Sequence, residues 1–402
     1  MIEMVERKTV APALNIPEID ILKVLGFFLV LAHHFWIFET APLLAGFDQY
    51  YSGFGVNANR LQELSWASYL PDFPAHEAIY RLFNIVFSNG YQGVGLFLII
   101  SGFGLTLSSL RKKHLETWPY LLGRFERVYL PYLLIMLAMN LFYLVTRQNL
   151  SLSWDSLALI SQGVRYSWFL FPLVQFYLFF PLLFLLVRSG AVRANTLMGG
   201  TIIASFLWSV TVLFVGYNFK LKLISDGVCP PFYFVLFRLA EPVYGMWFAF
   251  LFCYYRASFD RLVSLRMLPV YCVLYLAGSY CSLTESNLHL FGFVIPIGQS
   301  ICNLLISASL FNILFIVSRR FLPWVRHLKA ISRYGYEFYL VQSIPLAALP
   351  WIYKHLPPNP WNILPILLVI LAVNLGIAII AQSAIQIPCA VPTNRLRNGL
   401  IH

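Results

Sequence analysis

The first long apolar stretch of the chain, IDILKVLGFFLVLAHHFW, carries Asp20, Lys23, His33 and His34 among side chains that otherwise suit only hydrocarbon. A charge held at the centre of a membrane-spanning helix costs about 2.5 to 3.5 kcal/mol on insertion scales, so ionisable residues there mark function by default. Lys23 and His34 are separated by ten residues, and at about 100° per step they return to within about 20° of the same helix face. His33 falls about 80° off that face, which makes His34 the better partner for anything Lys23 helps to hold. Along the axis Lys23 and His34 lie about 16 Å apart. That is too far for a hydrogen bond and close to the reach of an extended phosphopantetheine arm, about 15 to 20 Å. Such a pair can hold phosphates at one end and meet a thioester at the other. The alternative is that Lys23 snorkels to lipid headgroups while the histidines pack against neighbouring helices.

A second set lies in RLAEPVYG, where Arg238 and Glu241 stand at i and i+3 and can neutralise each other on one helix face. A segment entering from outside near residue 231 brings Glu241 close to the midplane and Arg238 slightly above it, the depth His34 reaches from the other side. In that geometry His34 is a general base, Glu241 orients it, and Arg238 steadies a developing oxyanion. A purely structural ion pair is the other reading. A third set, GRFERVYLPY, puts Arg124 and Arg127 on one turn, with Arg111, Lys112 and Lys113 nearby in sequence. Such a cluster suits phosphate, and the enrichment of cations on the cytoplasmic side of membranes also accounts for it. No Ser or Cys stands out as a nucleophile. Ser101, in SGFG, is the one serine worth testing, and close helix packing explains it as well. The six cysteines (Cys229, Cys253, Cys272, Cys281, Cys302 and Cys389) are scattered through apolar runs without a CxxC pair, so no metal site is expected.

The elements that must carry these residues follow from composition. Of 402 residues, 59% are hydrophobic and 11% charged, against about 25% charged in an ordinary soluble domain, so most of the surface has to face lipid. The formal charge of +11 forms no compact basic patch outside the apolar segments, and no nucleic-acid partner is expected. Stretches long enough to span fall at 18–38, 82–110, 128–146, 167–187, 196–216, 231–253, 267–283, 291–317, 334–352 and 361–387. Most of the 28 Lys and Arg residues then lie in alternate connections: Arg7 and Lys8, Arg111 to Arg127, Arg188 and Arg193, Arg256 to Arg266, Arg319 to Arg333, and Arg395 with Arg397. The expectation is an all-α, polytopic inner-membrane bundle of about ten transmembrane helices with both termini cytoplasmic. Residues 1–17 form the N-terminal segment, 18–387 the membrane domain and 388–402 the tail. The first segment lacks a small-residue cleavage pattern and is expected to stay in the protein. An external connection, 39–81, mixes Tyr50, Tyr51, Trp66 and Tyr69 with acids, a composition for stacking on sugar rings or for an interfacial cap. No internal repeat is visible.

Taken together the motifs resemble acyltransferase family 3, integral-membrane O-acyltransferases of envelope glycans. IDILKVLGFFLVLAHH resembles the family's opening helix and GYQGVGLFLIISGFGL its glycine-rich segment. RFERVYLPY resembles its Arg-x-x-Arg stretch, SWFLFPLVQFYLFFPLL its Trp-Phe-Tyr-Pro helix, RLAEPVYG its Arg-x-x-Glu helix, and ISRYGYEFYLVQSIPL its closing Ser-Tyr helix. The resemblance implies ten core helices, an acyl-coenzyme A donor substrate, acetyl-CoA most simply, on the cytoplasmic side, and a glycan or glycolipid hydroxyl as acceptor on the other. It makes His34 the base or acyl-handling residue and ties Lys23, Arg124 and Arg127 to the donor, with Glu241 and Arg238 assisting. Three positions depart from the pattern: Lys23 replaces an Arg, losing a planar fork for bidentate phosphate recognition; Leu173 and Val174 replace an acidic pair; and Gln342 replaces a His, so neither can do acid-base chemistry. The chain ends soon after its last helix, so the extra periplasmic hydrolase-like domain of longer relatives is not expected. The rivals are a glycan or lipid transporter or flippase without acyl-transfer chemistry, and a degenerate member acting as a binding partner.

Overall fold

The computed structural model describes residues 16–40, 87, 89–112, 115–145, 169–219, 235–283, 288–290, 293–295, 297–321, 328–359 and 361–389. The expected external connection beyond Thr40, up to 81, and the outer parts of both terminal segments lie outside the described residues. In chain order the helices are α1 (Pro17–His34, continued by a π-helical stretch Phe35–Thr40), α2 (Gln92–Leu110), α3 (Thr117–Arg124), α4 (Leu130–Val145), α5 (Leu170–Arg188), α6 (Ala191–Phe219), α7 (Val235–Arg238) and α8 (Ala240–Tyr254). There follow α9 (Arg256–Leu262), α10 (Leu268–Leu283), α11 (Ile297–Phe321), α12 (Leu328–Ser332), α13 (Gly335–Val341), α14 (Ser343–Leu346), α15 (Leu349–His355) and α16 (Ile363–Cys389).

Two expected segments differ in form. The stretch 291–317 becomes helical only at Ile297, after a hairpin in which β1 (Leu288–Leu290) pairs antiparallel with β2 (Phe293–Ile295). The stretch 334–352 is broken into α13, α14 and α15. Proline explains each interruption, since it removes the N–H owed to the carbonyl four residues back and crowds that carbonyl. Pro345 acts on Val341, Pro350 on Leu346, and Pro242 likewise on Arg238 at the joint between α7 and α8.

Among the described residues, five helices are long and apolar enough to cross a bilayer: α2, α5, α6 as far as Val212, α11 from Cys302, and α16 as far as Ile385. Residues 256–262 and 265–279 pass together as a pair bent by 47°. α1 is excluded by Glu18, Asp20 and Lys23 near its start. α4 and α8, at 16 and 15 residues, fall short of the roughly 20 a straight span needs. Outward rows such as Leu178, Leu182 and Leu185 on α5 and Leu364, Leu368 and Val369 on α16 are exposed, as hydrocarbon-facing side chains must be.

Two packing arrangements position the polar residues. In the first, α2 meets α8 backbone to backbone: a methyl at Gly102 would overlap the Pro242 carbonyl, and one at Gly245 the Ile99 carbonyl. Small residues permit this approach where helices must pack without a hydrophobic force from water. In the second, α1 and the interrupted run from α12 to α15 lie parallel. Ser332 donates to Asp20 (2.9 Å), Phe27 packs on Phe338 (5.6 Å between rings), and beyond His34 the Tyr353 hydroxyl meets Thr40 (2.7 Å). At the edge of the bundle Asp260 accepts from both Arg256 (3.1 Å) and Arg319 (2.9 Å), tying α9 to α11.

The α2–α8 seam yields a paired test. Gly102→Ala is expected to lower the unfolding midpoint in detergent by several degrees, since overpacking costs about 1–3 kcal/mol. Gly104→Ala, with nothing within 4 Å of the added methyl, should leave it unchanged; equal midpoints for both variants would refute the seam as described.

Candidate functional site

His34 ends the regular part of α1 and is buried, with 4% of its surface exposed. Its Nδ1 lies 3.0 Å from Oε1 of Gln342, a residue 308 positions later. His33, its neighbour, is also buried and directs Nδ1 to the Phe87 carbonyl at 3.0 Å, its ring 5.8 Å from that of Tyr91. The two imidazoles are 5.6 Å apart. Gly90 leaves room for this corner, since a methyl there would overlap the Leu29 carbonyl and press on His33.

Gln342 sits at the interruption between α13 and α14 that Pro345 imposes. Beside it the Phe338 carbonyl accepts from Asn374 of α16 at 2.9 Å, which satisfies a backbone group at the break. The residue read from sequence as unable to contribute is thus the one that holds the imidazole.

Arg238 and Glu241 pair directly. Nε and Nη2 of Arg238 each donate to a different carboxylate oxygen of Glu241, both at 2.6 Å, with the side chains 2% and 1% exposed. The Glu241 oxygen also stands close to Gly95, beside Ser307, whose hydroxyl donates to Gln92 at 2.9 Å. Both oxygens of Glu241, the carboxylate expected to orient His34, thus accept from Arg238, the residue expected at an oxyanion. The reason is local: at i and i+3 across the Pro242 joint, both forks close on each other without crossing the bundle.

The cationic cluster opens on a cavity of about 330 Å³ lined by Ser108 and Ser109 of α2, Lys112, Glu116, Tyr120 and Arg124 of α3, and Arg127. The Arg124 guanidinium lies 5.7 Å from the Tyr120 ring and 5.8 Å from that of Tyr177. Ser101 and Arg124 both lie near the Tyr177 hydroxyl, which gives Ser101 a structural neighbour. Burial, then the neighbouring Tyr177, pushes the Tyr120 hydroxyl well above its ordinary range against the pull of Arg124, so it stays neutral. Three cations against one carboxylate make a site for an anion.

Lys23 is not in that lining. It pairs with Asp20 on its own helix at 3.3 Å and is partly exposed. It does share an end of the bundle with the cavity: Asp20 bonds Ser332, and one turn on Tyr336 donates to the Val128 carbonyl (2.5 Å), one turn past Arg124. Lys23 and His34 remain about 16 Å apart on one continuous helix. Leu173 is buried among apolar side chains and Val174 packs against them, so these positions build the interior. Sequence reasoning missed the two tyrosines around Arg124; their aromatic character in an aromatic-rich chain gave no signal. No group of three His, Cys, Asp or Glu suited to a metal occurs among the described residues.

A helical, multi-pass membrane protein with a cationic cavity at one end and a buried histidine deeper on the same bundle is the class that fold and site define. The family model described as an acyltransferase domain, that of acyltransferase family 3, matches residues 16–382, and the chain belongs to this family of membrane acyltransferases. No curated protein matches the chain, and no solved structure does.

For the cavity, the double variant Arg124→Ala/Arg127→Ala is expected to weaken binding of coenzyme A to the purified protein by about tenfold or more, the scale of lost hydrogen bonds between charged partners. Calorimetric titration in detergent measures this. An unchanged dissociation constant would remove the cavity as the phosphate site.

Proposed function

We propose that the protein is a membrane O-acyltransferase that moves an acyl group, acetyl in the simplest case, from a coenzyme A thioester to a hydroxyl of an envelope or exported polysaccharide or glycolipid. It lies in the inner membrane with about ten crossings and both termini cytoplasmic. The observation that carries the reading is an end of the bundle shared by Lys23 and the cavity of Arg124 and Arg127, with His34 about 16 Å from Lys23 along α1. That separation matches the arm linking the phosphates of coenzyme A to its thioester.

In the direct reaction His34 takes the proton of the acceptor hydroxyl as its oxygen attacks the thioester carbonyl carbon. Collapse of the tetrahedral intermediate breaks the carbon–sulfur bond. The thiolate leaves toward the cationic end and recovers the proton from the imidazolium. Arg124, stacked between Tyr120 and Tyr177, binds phosphate with its remaining N–H groups, and Arg127 and Lys112 add charge at the mouth. Lys23, pinned by Asp20, neutralises the donor from outside the cavity. Arg238 and Glu241 serve by holding α7 to α8 and closing the wall opposite α2.

His34→Ala is expected to lower acyl transfer from labelled acetyl-coenzyme A by at least about 100-fold, the lower range for loss of a general base, while the protein inserts and accumulates normally. Mass analysis of the acceptor glycan reads the product. Transfer at the wild-type rate in this variant would end the mechanism, and substrate movement in liposomes without modification would replace it with transport.

A further inference from the structure

We propose that Gln342 is a catalytic residue with two roles: its Oε1 fixes His34 as the tautomer protonated at Nδ1, and its Nε2 donates to the thioester carbonyl oxygen as that oxygen becomes negative. This deepens the acyl-transfer reading and rests on it.

The first role follows from hydrogen-bond chemistry. An amide oxygen only accepts, so at 3.0 Å it requires the proton to be on Nδ1 of His34. In the neutral ring the lone pair is then on Nε2, the nitrogen turned away from Gln342, and that is the nitrogen able to take a proton from the acceptor hydroxyl. Gln342 is 1% exposed and reaches α1 from the opposite end of the sequence, so the tautomer is set by packing against a distant element.

The second role follows from what the same amide leaves unmet. Nε2 of Gln342 is buried and has no hydrogen-bond partner among the described residues. Buried amide donors are nearly always bonded, and this one, beside the base, is placed to meet an oxygen that arrives with the reaction. Within an amide the oxygen and nitrogen are about 2.3 Å apart, so Nε2 of Gln342 lies within about 5 Å of Nδ1 of His34 and, across the ring, within about 7 Å of the Nε2 that takes the proton. A base and an oxyanion donor acting on two oxygens of one tetrahedral carbon require that order of spacing. The hydroxyl of Ser343, the next residue, is also buried without a partner among the described residues, so two unmet polar groups follow one another at the break. Arg238, expected from sequence at this depth, spends two donors on Glu241. Side-chain amides serve as oxyanion donors because they are neutral, rigid and need no reorganisation as charge develops.

In the step itself the acceptor oxygen bonds to the thioester carbon as its proton passes to His34 Nε2. The carbonyl π pair moves to oxygen, where Gln342 Nε2–H receives it. Expulsion of the thiolate restores the carbonyl, and the imidazolium returns the proton to sulfur. Ester and free coenzyme A are the only products.

Two variants separate the roles. Gln342→Leu removes acceptor and donor at similar size. Gln342→Glu keeps an oxygen for Nδ1–H but offers the oxyanion no donor. Both are expected to lower kcat by about 100-fold to 1,000-fold, the range for one lost oxyanion donor, with the KM for acetyl-coenzyme A changed less than about threefold; the unfolding midpoint stays close to wild type in Gln342→Glu and falls by a few degrees in Gln342→Leu, which leaves Nδ1–H unmet. Nitrogen-15 spectra of histidine-labelled protein, with His34→Gln used for assignment, should show the Nδ1–H tautomer in wild type and its loss in Gln342→Leu. Wild-type kcat in Gln342→Glu overturns the donor role. An Nε2–H tautomer in the wild-type protein overturns the positioning role. If the wild-type protein transfers no acyl group, the functional reading falls and the donor role with it, while the spectrum still reports the tautomer independently.

Discussion

The parallel pairing of α1 with the interrupted run from α12 to α15 sets the register on which the interior depends. Neighbouring helices in a membrane protein ordinarily run antiparallel because short connections reverse direction, so two parallel helices have to be joined from distant parts of the chain. Here about 300 residues intervene. What fixes their alignment is a ladder of polar contacts at increasing height: Asp20 with Ser332, His34 with Gln342, and Thr40 with Tyr353. Between the lower two, Phe27 packs on Phe338 and fills the space over Gly335, where any side chain would overlap its ring. In hydrocarbon each polar member of the ladder has to be bonded within the bundle, and a slip of one turn would leave several unmet at once.

The same constraint explains why the helices are broken where they are. Pro242 and Pro345 each free a carbonyl inside the bundle, which a membrane tolerates only if neighbours meet it. Near the second break, one turn before the Val341 carbonyl that Pro345 frees, Asn374 bonds the Phe338 carbonyl, and Gln342 turns its amide to His34. At the first, the side chains of Arg238 and Glu241 fold onto each other across the joint. Replacing either partner alone would leave a charge in an apolar interior, a loss on the order of 3–5 kcal/mol, so the pair reads first as architecture. On the proposed mechanism the chemistry then falls to a histidine and an amide, groups that need no counterion when neutral.

The cavity and His34 are connected differently from the way sequence spacing suggests. Lys23 shares the helix of His34 and points to the correct end of the bundle, yet its partner is Asp20, and the cavity is built by α2, α3 and the π-helical stretch that follows Arg124. The wider helical turn at 125–129 brings Arg127 to the lining together with Arg124. Tyrosines, and not acids, flank Arg124, which orients the guanidinium while leaving its charge available to a phosphate.

Much of this was legible in the sequence because membranes impose strong one-dimensional rules. Apolar run length pointed to the helices, and the cost of charge in hydrocarbon singled out His34, Arg238, Glu241 and Lys23, while ten crossings and their direction stand as what run length and the alternate clusters of Lys and Arg predict. Family motifs in order along the chain pointed to the acyltransferase family 3 domain, which the match over 16–382 bears out. What could not be read was pairing. Periodicity fixes which face of its own helix a residue occupies but says nothing of which helix lies opposite. Glu241 and His34 can be placed at one depth from sequence and still belong to different neighbours. Gln342 was marked in one dimension only as an amide where the family pattern has a His, and nothing there said that it faces His34. Only the tertiary structure, by laying α13 parallel to α1, set its amide against the imidazole, because hydrogen bonds depend on distances of about 3 Å that sequence separation does not encode.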